Sequence, residues 1–197
     1  SGIRCWGAVH NVSVENCCFL REGCWLEDVA HFSFINCTFT ESSLSLERVS
    51  DIRVDNCYIK GKPILYYESR TNLTISEIKG GQIIINKCQN VLLKDLNLSE
   101  VPSPLQILSS TNIHIASCNI YNNSGQNLYC KGCSNILVEN TSLLLGRPYD
   151  FYLKDCTNVT FRKVSVQNSS YGGYVSYCSY VTFINCTFSH NSWEALE

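Results

Sequence analysis

Residues 181–188 read Val-Thr-Phe-Ile-Asn-Cys-Thr-Phe, and residues 32–39 read Phe-Ser-Phe-Ile-Asn-Cys-Thr-Phe. Looser copies lie between and before them. Taking the residue ahead of each copy as an anchor gives Asn11, His31, Asp51, Asn72, Asn90, Asn112, Asn135, Asn158 and Tyr180, spaced by 20, 20, 21, 18, 22, 23, 23 and 22 residues. The positions one and three after each anchor are apolar throughout, from Val12 and Val14 to Val181 and Phe183, with mostly polar residues between them. That alternation marks a half-buried strand. Six and eight after the anchor lie two further small or apolar columns, the second broken only at Gly80.

A second strand precedes each anchor, as in Leu44/Leu46, Ile83/Ile85 and Phe151/Leu153. No apolar stripe survives at helical spacing, and the abundant Val, Ile, Phe, Thr and Tyr favour strands. One such strand cannot bury its apolar face alone. Coiling the chain stacks every repeat on the last, about 4.8 Å apart. The expected fold is therefore all-β: a single-stranded parallel β-helix of about nine rungs, one domain over residues 1–197, forming a rod of roughly 45 Å.

The pattern Asn-Val-Thr-Ile-x-Asn-(Asn/Cys)-Thr-Phe, clearest at 11–19, 31–39, 158–166 and 180–188, resembles the right-handed parallel β-helix repeat family of pectate-lyase-like, NosD-like and carbohydrate-associated surface proteins. Right-handedness is what this resemblance implies. It also implies function classes, though the repeat specifies fold far more than chemistry. A leucine-rich repeat shares the period, but its consensus is absent.

Net charge is −2 and pI about 6.1, which argues against a nucleic-acid partner. No run of 18 apolar residues suggests membrane insertion. The start, Ser1-Gly2-Ile3, enters a rung almost directly, as a mature or excised segment of a longer protein or assembly would. Both end rungs lack a polar cap, so flanking domains or end-to-end self-association into a filament are expected to cover them.

Thirteen cysteines invite a disulfide framework. Position argues otherwise: Cys17, Cys37 and Cys57 share one inward column, and Cys133, Cys156 and Cys178 another. Stacked Cβ atoms lie about 4.8 Å apart, against about 3.8 Å in a relaxed disulfide. They read as buried thiols, with Cys5, Cys18 and Cys24 irregular enough to allow a bridge. Their spacing fits no known metal site, and no cofactor is implied.

Six residues before the anchors runs an outward column containing Trp25, Tyr66, Tyr129, Tyr152 and Tyr174, with Trp6 placed beside it. Three readings fit: cross-rung stacking alone, a platform for sugar rings, or a contact for a surface protein. Glu27, Glu47 and Glu68 form an acidic row four before the anchors, read as a solvated face, a cation site or an acid–base pair. No catalytic residue can be assigned, because the Asn-Thr-Asp, Asp-Asp and Gly-His-Gly motifs of polygalacturonases are absent. The long corner loops Ser99–Pro104, Tyr121–Asn127, Leu144–Asp150 and Gln167–Gly172 should line one edge. Two of them carry the better glycosylation acceptors, Asn122 and Asn168.

These observations favour a non-catalytic, secreted or cell-surface rod that binds polysaccharide or a surface protein. The alternatives are a polysaccharide lyase or glycoside hydrolase, and a NosD-like periplasmic accessory.

Overall fold

The computed structural model describes residues 2–21 and 23–197. Among the described residues every regular element is a strand, and every strand pairing but one is parallel. The anchors are the first reason the chain coils. All nine carry positive φ, between 52° and 57°, and the residues five later, from Asn16 to Asn185, carry positive φ between 47° and 61°. Each rung thus turns at left-handed corners, a conformation that Asn tolerates better than most residues. Asn side chains then bond from rung to rung. Asn56 donates to Asn36 and Asn36 to Asn16, while another ladder runs Asn158, Asn135, Asn112, Asn90, Asn72.

The cysteine columns lie inward, except Cys17 and Cys18, which are exposed in the first rung; all thirteen cysteines, including Cys5, Cys18 and Cys24, are free thiols. They act as more than small hydrophobes. At the corners before Asn72, Asn90 and Asn158 the backbone ladder skips an N–H, and the next rung's side chain accepts it. Cys88 Sγ accepts from Arg70 N, Ser110 Oγ from Cys88 N, and Cys178 Sγ from Cys156 N. Thr141 Oγ1 does the same for Cys118 N in the column six after the anchor. Each of these four side chains donates back to the carbonyl two residues earlier in its own rung. Cys, Ser and Thr interchange here because each is a small group that both donates and accepts.

The rungs do not form one uninterrupted stack. Strands Tyr58–Ile59 and Lys62–Glu68 pair antiparallel, with Ile59 opposite Lys62, through a turn at Lys60 (φ 48°) and Gly61 (φ 74°). This two-residue hairpin, with positive φ at both corners, replaces the expected short link between rungs three and four. Opposite residues of an antiparallel pair share a face. Ile59 points into the first three rungs, so Lys62, Ile64, Tyr66 and Glu68 point the same way. That face is the outside of the six rungs that follow. One nine-stranded sheet therefore serves both stacks, with the N-terminal core on one face and the C-terminal core on the other.

The N-terminal stack lies against the flank of the C-terminal one. Strands Leu44–Glu47 and Ser50–Asp55 of rung three pair only with rung two. Their free backbone edge is met by side chains instead. Gln82 accepts from Leu44 N and donates to Leu44 O, Gln106 Nε2 donates to Leu44 O at 2.7 Å, Asn86 donates to Val49 O, and Glu68 accepts from Ile52 N. Ile84, an outward position by phase, is 0 % exposed and belongs to the N-terminal core. The solenoid and its rung number stand as expected. The straight rod does not, because rung three ends on a flank rather than on rung four.

Candidate functional site

The junction redistributes the outward aromatic column. Tyr66 is half-buried beneath the N-terminal stack, donating to Glu68 and accepting from Asn86; burial pushes its phenol well above the usual range. Trp25 stays on the N-terminal stack, in register with Arg4 and Ser45. Trp6 falls opposite Glu27 rather than Trp25, beyond a register shift between Trp6 and Val9. Tyr129, Tyr152 and Tyr174 stack ring on ring, with centroids 5.4 and 4.6 Å apart. The five residues therefore do not share one exposed face. Within the stack the ring faces cover one another, leaving mainly edges and hydroxyls outward. Tyr129 ends that stack next to Gln106, its neighbour in register.

The acidic row is divided as well. Glu27 and Glu47 remain adjacent in register, but both bind the Arg48 guanidinium, which also takes Asp28 in two hydrogen bonds. That contact holds the Asp28 carboxyl below the usual range. Glu47 also pairs with Lys131 of the C-terminal stack. Glu68 sits in the polar seam with Asn86 and Tyr66. The reading of a solvated acidic face fails at Glu27, Glu47 and Glu68, which are largely covered. The missed signal lies in the same column. Four before the later anchors stand Lys131 and Lys154, so the column is acidic in the N-terminal stack and basic further on, and the fold brings its halves together.

Between the stacks runs a groove. One stretch, of about 200 Å³, is lined by Trp25, Ser45, Glu47, Gln106, Gln126 and Tyr129. Past Glu47 it opens into a cleft of about 440 Å³ among Glu27, Arg48, Lys131, Lys154 and Asp155. Both stacks contribute to both stretches, so neither stack alone contains the site. Two aromatic rings, the Gln126 amide and hydroxyls converge in the first stretch, with the buried Gln106 amide, bonded to Leu44 O, beneath them; rings and polar groups of this kind stack on and hydrogen-bond a polar ring. Sequence analysis found Trp25, Tyr129 and Glu47. Gln106 and Gln126 carried no signal, because one outward Gln on a strand and one Gln in a corner loop are ordinary by themselves.

The long loops do line one edge. Backbone bonds link Glu100 to Asn122, Asn122 to Leu144, Leu145 to Gln167 and Asn168 to Ser189, one rung to the next. Asn122 and Asn168 are exposed at left-handed corners. Beneath these loops lies a buried polar seam. Asn123 donates to Asn127, Asn127 donates to Asp150, and Asp150 also accepts from Gly146 N. Asp150 is fully buried, and that burial pushes its carboxyl up to about 7.

The family described as right handed beta helix region matches this chain twice, over residues 1–140 and 61–197. The chain belongs to that family. No curated protein matches it. Among solved structures, a Parabacteroides merdae protein named "putative glycosyl hydrolase" is similar at 15% identity, over 65% of this chain and 81% of that one, with a TM-score of 0.34.

Proposed function

We propose that this β-helix protein is a non-catalytic glycan-binding module, with the ligand seated in the groove between its two stacks. The observation that carries this reading is the convergence of Trp25, Tyr129, Gln106 and Gln126 on one recess. A sugar ring presents an apolar face to such rings and hydroxyls to such amides. The reading is non-catalytic because of how the groove's carboxylates are held. A glycosidase needs one carboxyl that keeps its proton near neutral pH and a second free to attack or to activate water. Glu27 is bound to Arg48, and Glu47 to both Arg48 and Lys131, which leaves Asp155 as the one lining carboxylate outside an ion pair among the described residues, without the second that the reaction needs. We further propose a secreted or cell-surface setting, supported by exposed Asn122 and Asn168 within glycosylation sequons.

A glycan array, followed by calorimetry on each hit and an assay for new reducing ends, tests the proposal. Binding should weaken at least tenfold in Trp25→Ala and in Tyr129→Ala, with no product released. New reducing ends would establish the hydrolase reading instead. Binding unaffected by both substitutions would place the ligand elsewhere.

A further inference from the structure

The groove does not stop at Trp25. On its far side Trp25 and Ser45 also line an open depression of about 630 Å³, together with Arg4, Arg21, Gly23, Ser42, Ser43 and Glu41. We propose that Arg4, Arg21 and Ser42 form an oxyanion subsite, which takes a sulfate ester or uronate carboxylate carried by the glycan in the groove. This rests on the glycan reading for its ligand, but not for its chemistry.

Three features of the depression point to an anion. Ser42 is 6 % exposed, and its Oγ is buried without a hydrogen-bond partner among the described residues. A buried hydroxyl left unpaired is costly, so a ligand acceptor there removes a penalty as well as adding a bond. Second, the Arg4 guanidinium lies over the Trp25 ring, 4.3 Å from its centroid. Stacking holds the fork in place yet leaves its N–H edges free to donate, which suits bidentate binding of a sulfate or carboxylate. Third, Arg21 has, among the described residues, a single long contact to Glu41, 3.9 Å, with its side chain 86% exposed. Glu41 is the one carboxylate among the described lining residues, against two guanidinium groups. The floor is bare by construction: a Cβ at Gly23 would come within 2.5 Å of Ser43 O, so the backbones approach directly there.

The geometry also orders the ligand. Trp25 and Ser45 belong to both recesses, so a sugar ring beside Trp25 would direct one substituent toward Arg4 and another toward Gln106. A neutral glycan would fill only the second recess.

Two measurements test the subsite. In the first, inorganic sulfate is titrated into the intact chain and followed by amide NMR. The shifts should concentrate at Gly23, Cys24, Ser42 and Ser43, and should be lost in the Arg4→Gln/Arg21→Gln double variant. Ser42→Ala should weaken sulfate at least threefold without lowering the melting temperature. In the second, matched neutral, sulfated and uronate-bearing oligosaccharides are compared. Either or both anionic forms should bind at least tenfold tighter than the neutral one, in a salt-dependent way. The double variant should bind all three alike, and which anionic form gains more distinguishes sulfate from carboxylate. Sulfate shifts scattered over the surface, or unchanged in the double variant, would overturn the subsite even if neutral glycans bind. Localised sulfate shifts with no glycan bound would uphold the anion site and refute the glycan reading.

Discussion

The two stacks are built from one repeat, yet they solve the problem of an exposed rung edge in different ways. In the C-terminal six rungs each backbone edge from Lys62–Glu68 to Tyr149–Lys154 is covered by the next rung, and the last, Tyr171–Ser176, bonds to the backbone of Glu194 and Glu197. In the N-terminal three, the last edge is covered by side chains of another surface: Gln82, Asn86, Gln106 and Glu68. The ladders differ too. Asn amides stack five after the anchor in the N-terminal stack and at the anchor itself in the C-terminal one, where His31 and Asp51 have given way to Asn. A repeat therefore specifies how a rung coils, but not what each rung rests on. Where stacking stops, the polar groups of the edge must still be satisfied, and here that requirement produced the groove.

The difference can be broken most sharply at Ile84. By repeat phase it faces outward, yet it lies wholly inside the junction. Ile84→Glu should therefore cost about 3–5 kcal/mol, as for an unpaired buried charge. Chemical denaturation will show this; a solvated outward position would tolerate the change within a few tenths of a kcal/mol.

The next largest effect belongs to the C-terminal stack alone, whose long loops enclose Asp150. Its folded carboxyl titrates near 7, above the roughly 3.9 of an unfolded chain. Below both values it costs nothing. As pH rises from about 4 to 7 the unfolded state loses its proton first, so stability falls, and above 7 the loss is complete. Asp150→Asn keeps the acceptor for Asn127 and Gly146 and removes the charge. Its stability relative to the parent should rise by about 2–4 kcal/mol between pH 4 and 8. Melting curves across that range check the slope, and parallel curves would place the charge elsewhere.

Between the stacks, Glu47 and Lys131 should couple. A double-mutant cycle with Glu47→Gln and Lys131→Met is expected to give about 1–3 kcal/mol, more than a surface pair and comparable to other half-buried contacts. Coupling near zero would mean that the junction holds without its charges. The smallest effect concerns the corner thiols. Cys178→Ala leaves the Cys156 N–H without an acceptor and should cost about 1 kcal/mol, whereas Cys178→Ser should recover most of it. Equal losses in both would return these cysteines to simple fillers.

Coiling was legible in the sequence because it depends on local rules repeated many times. The apolar columns from Val12 to Phe183, the Asn corners and the stacked loops all follow from the period. The hairpin was not legible, because Lys60-Gly61 is equally suited to a rung corner and to a reversal of the chain. Its consequence, the docking of Leu44 on Gln82 and Gln106, joins residues 38 and 62 positions apart that no periodicity relates. Two hints were present in the columns: outward Gln and Asn at 82, 86 and 106, and the change from Glu to Lys between positions 68 and 131. Each is ordinary alone, and only the register of the second stack gives them one meaning. The same reasoning explains why the aromatic column divided. Phase determines which way Tyr66 and Tyr152 point, but not whether another part of the chain lies there.

Rung three lies on the flank of the C-terminal stack. In an uninterrupted rod Glu47 and Lys131 would sit four rungs apart, about 19 Å; here they form an ion pair. Carbodiimide, which joins a carboxylate to an amine only in direct contact, followed by peptide mass spectrometry, separates the two arrangements. A flank contact gives a Glu47–Lys131 isopeptide link within single molecules, absent in Lys131→Met. Glu47 activated by the reagent yet joined to no residue of the C-terminal stack would contradict it.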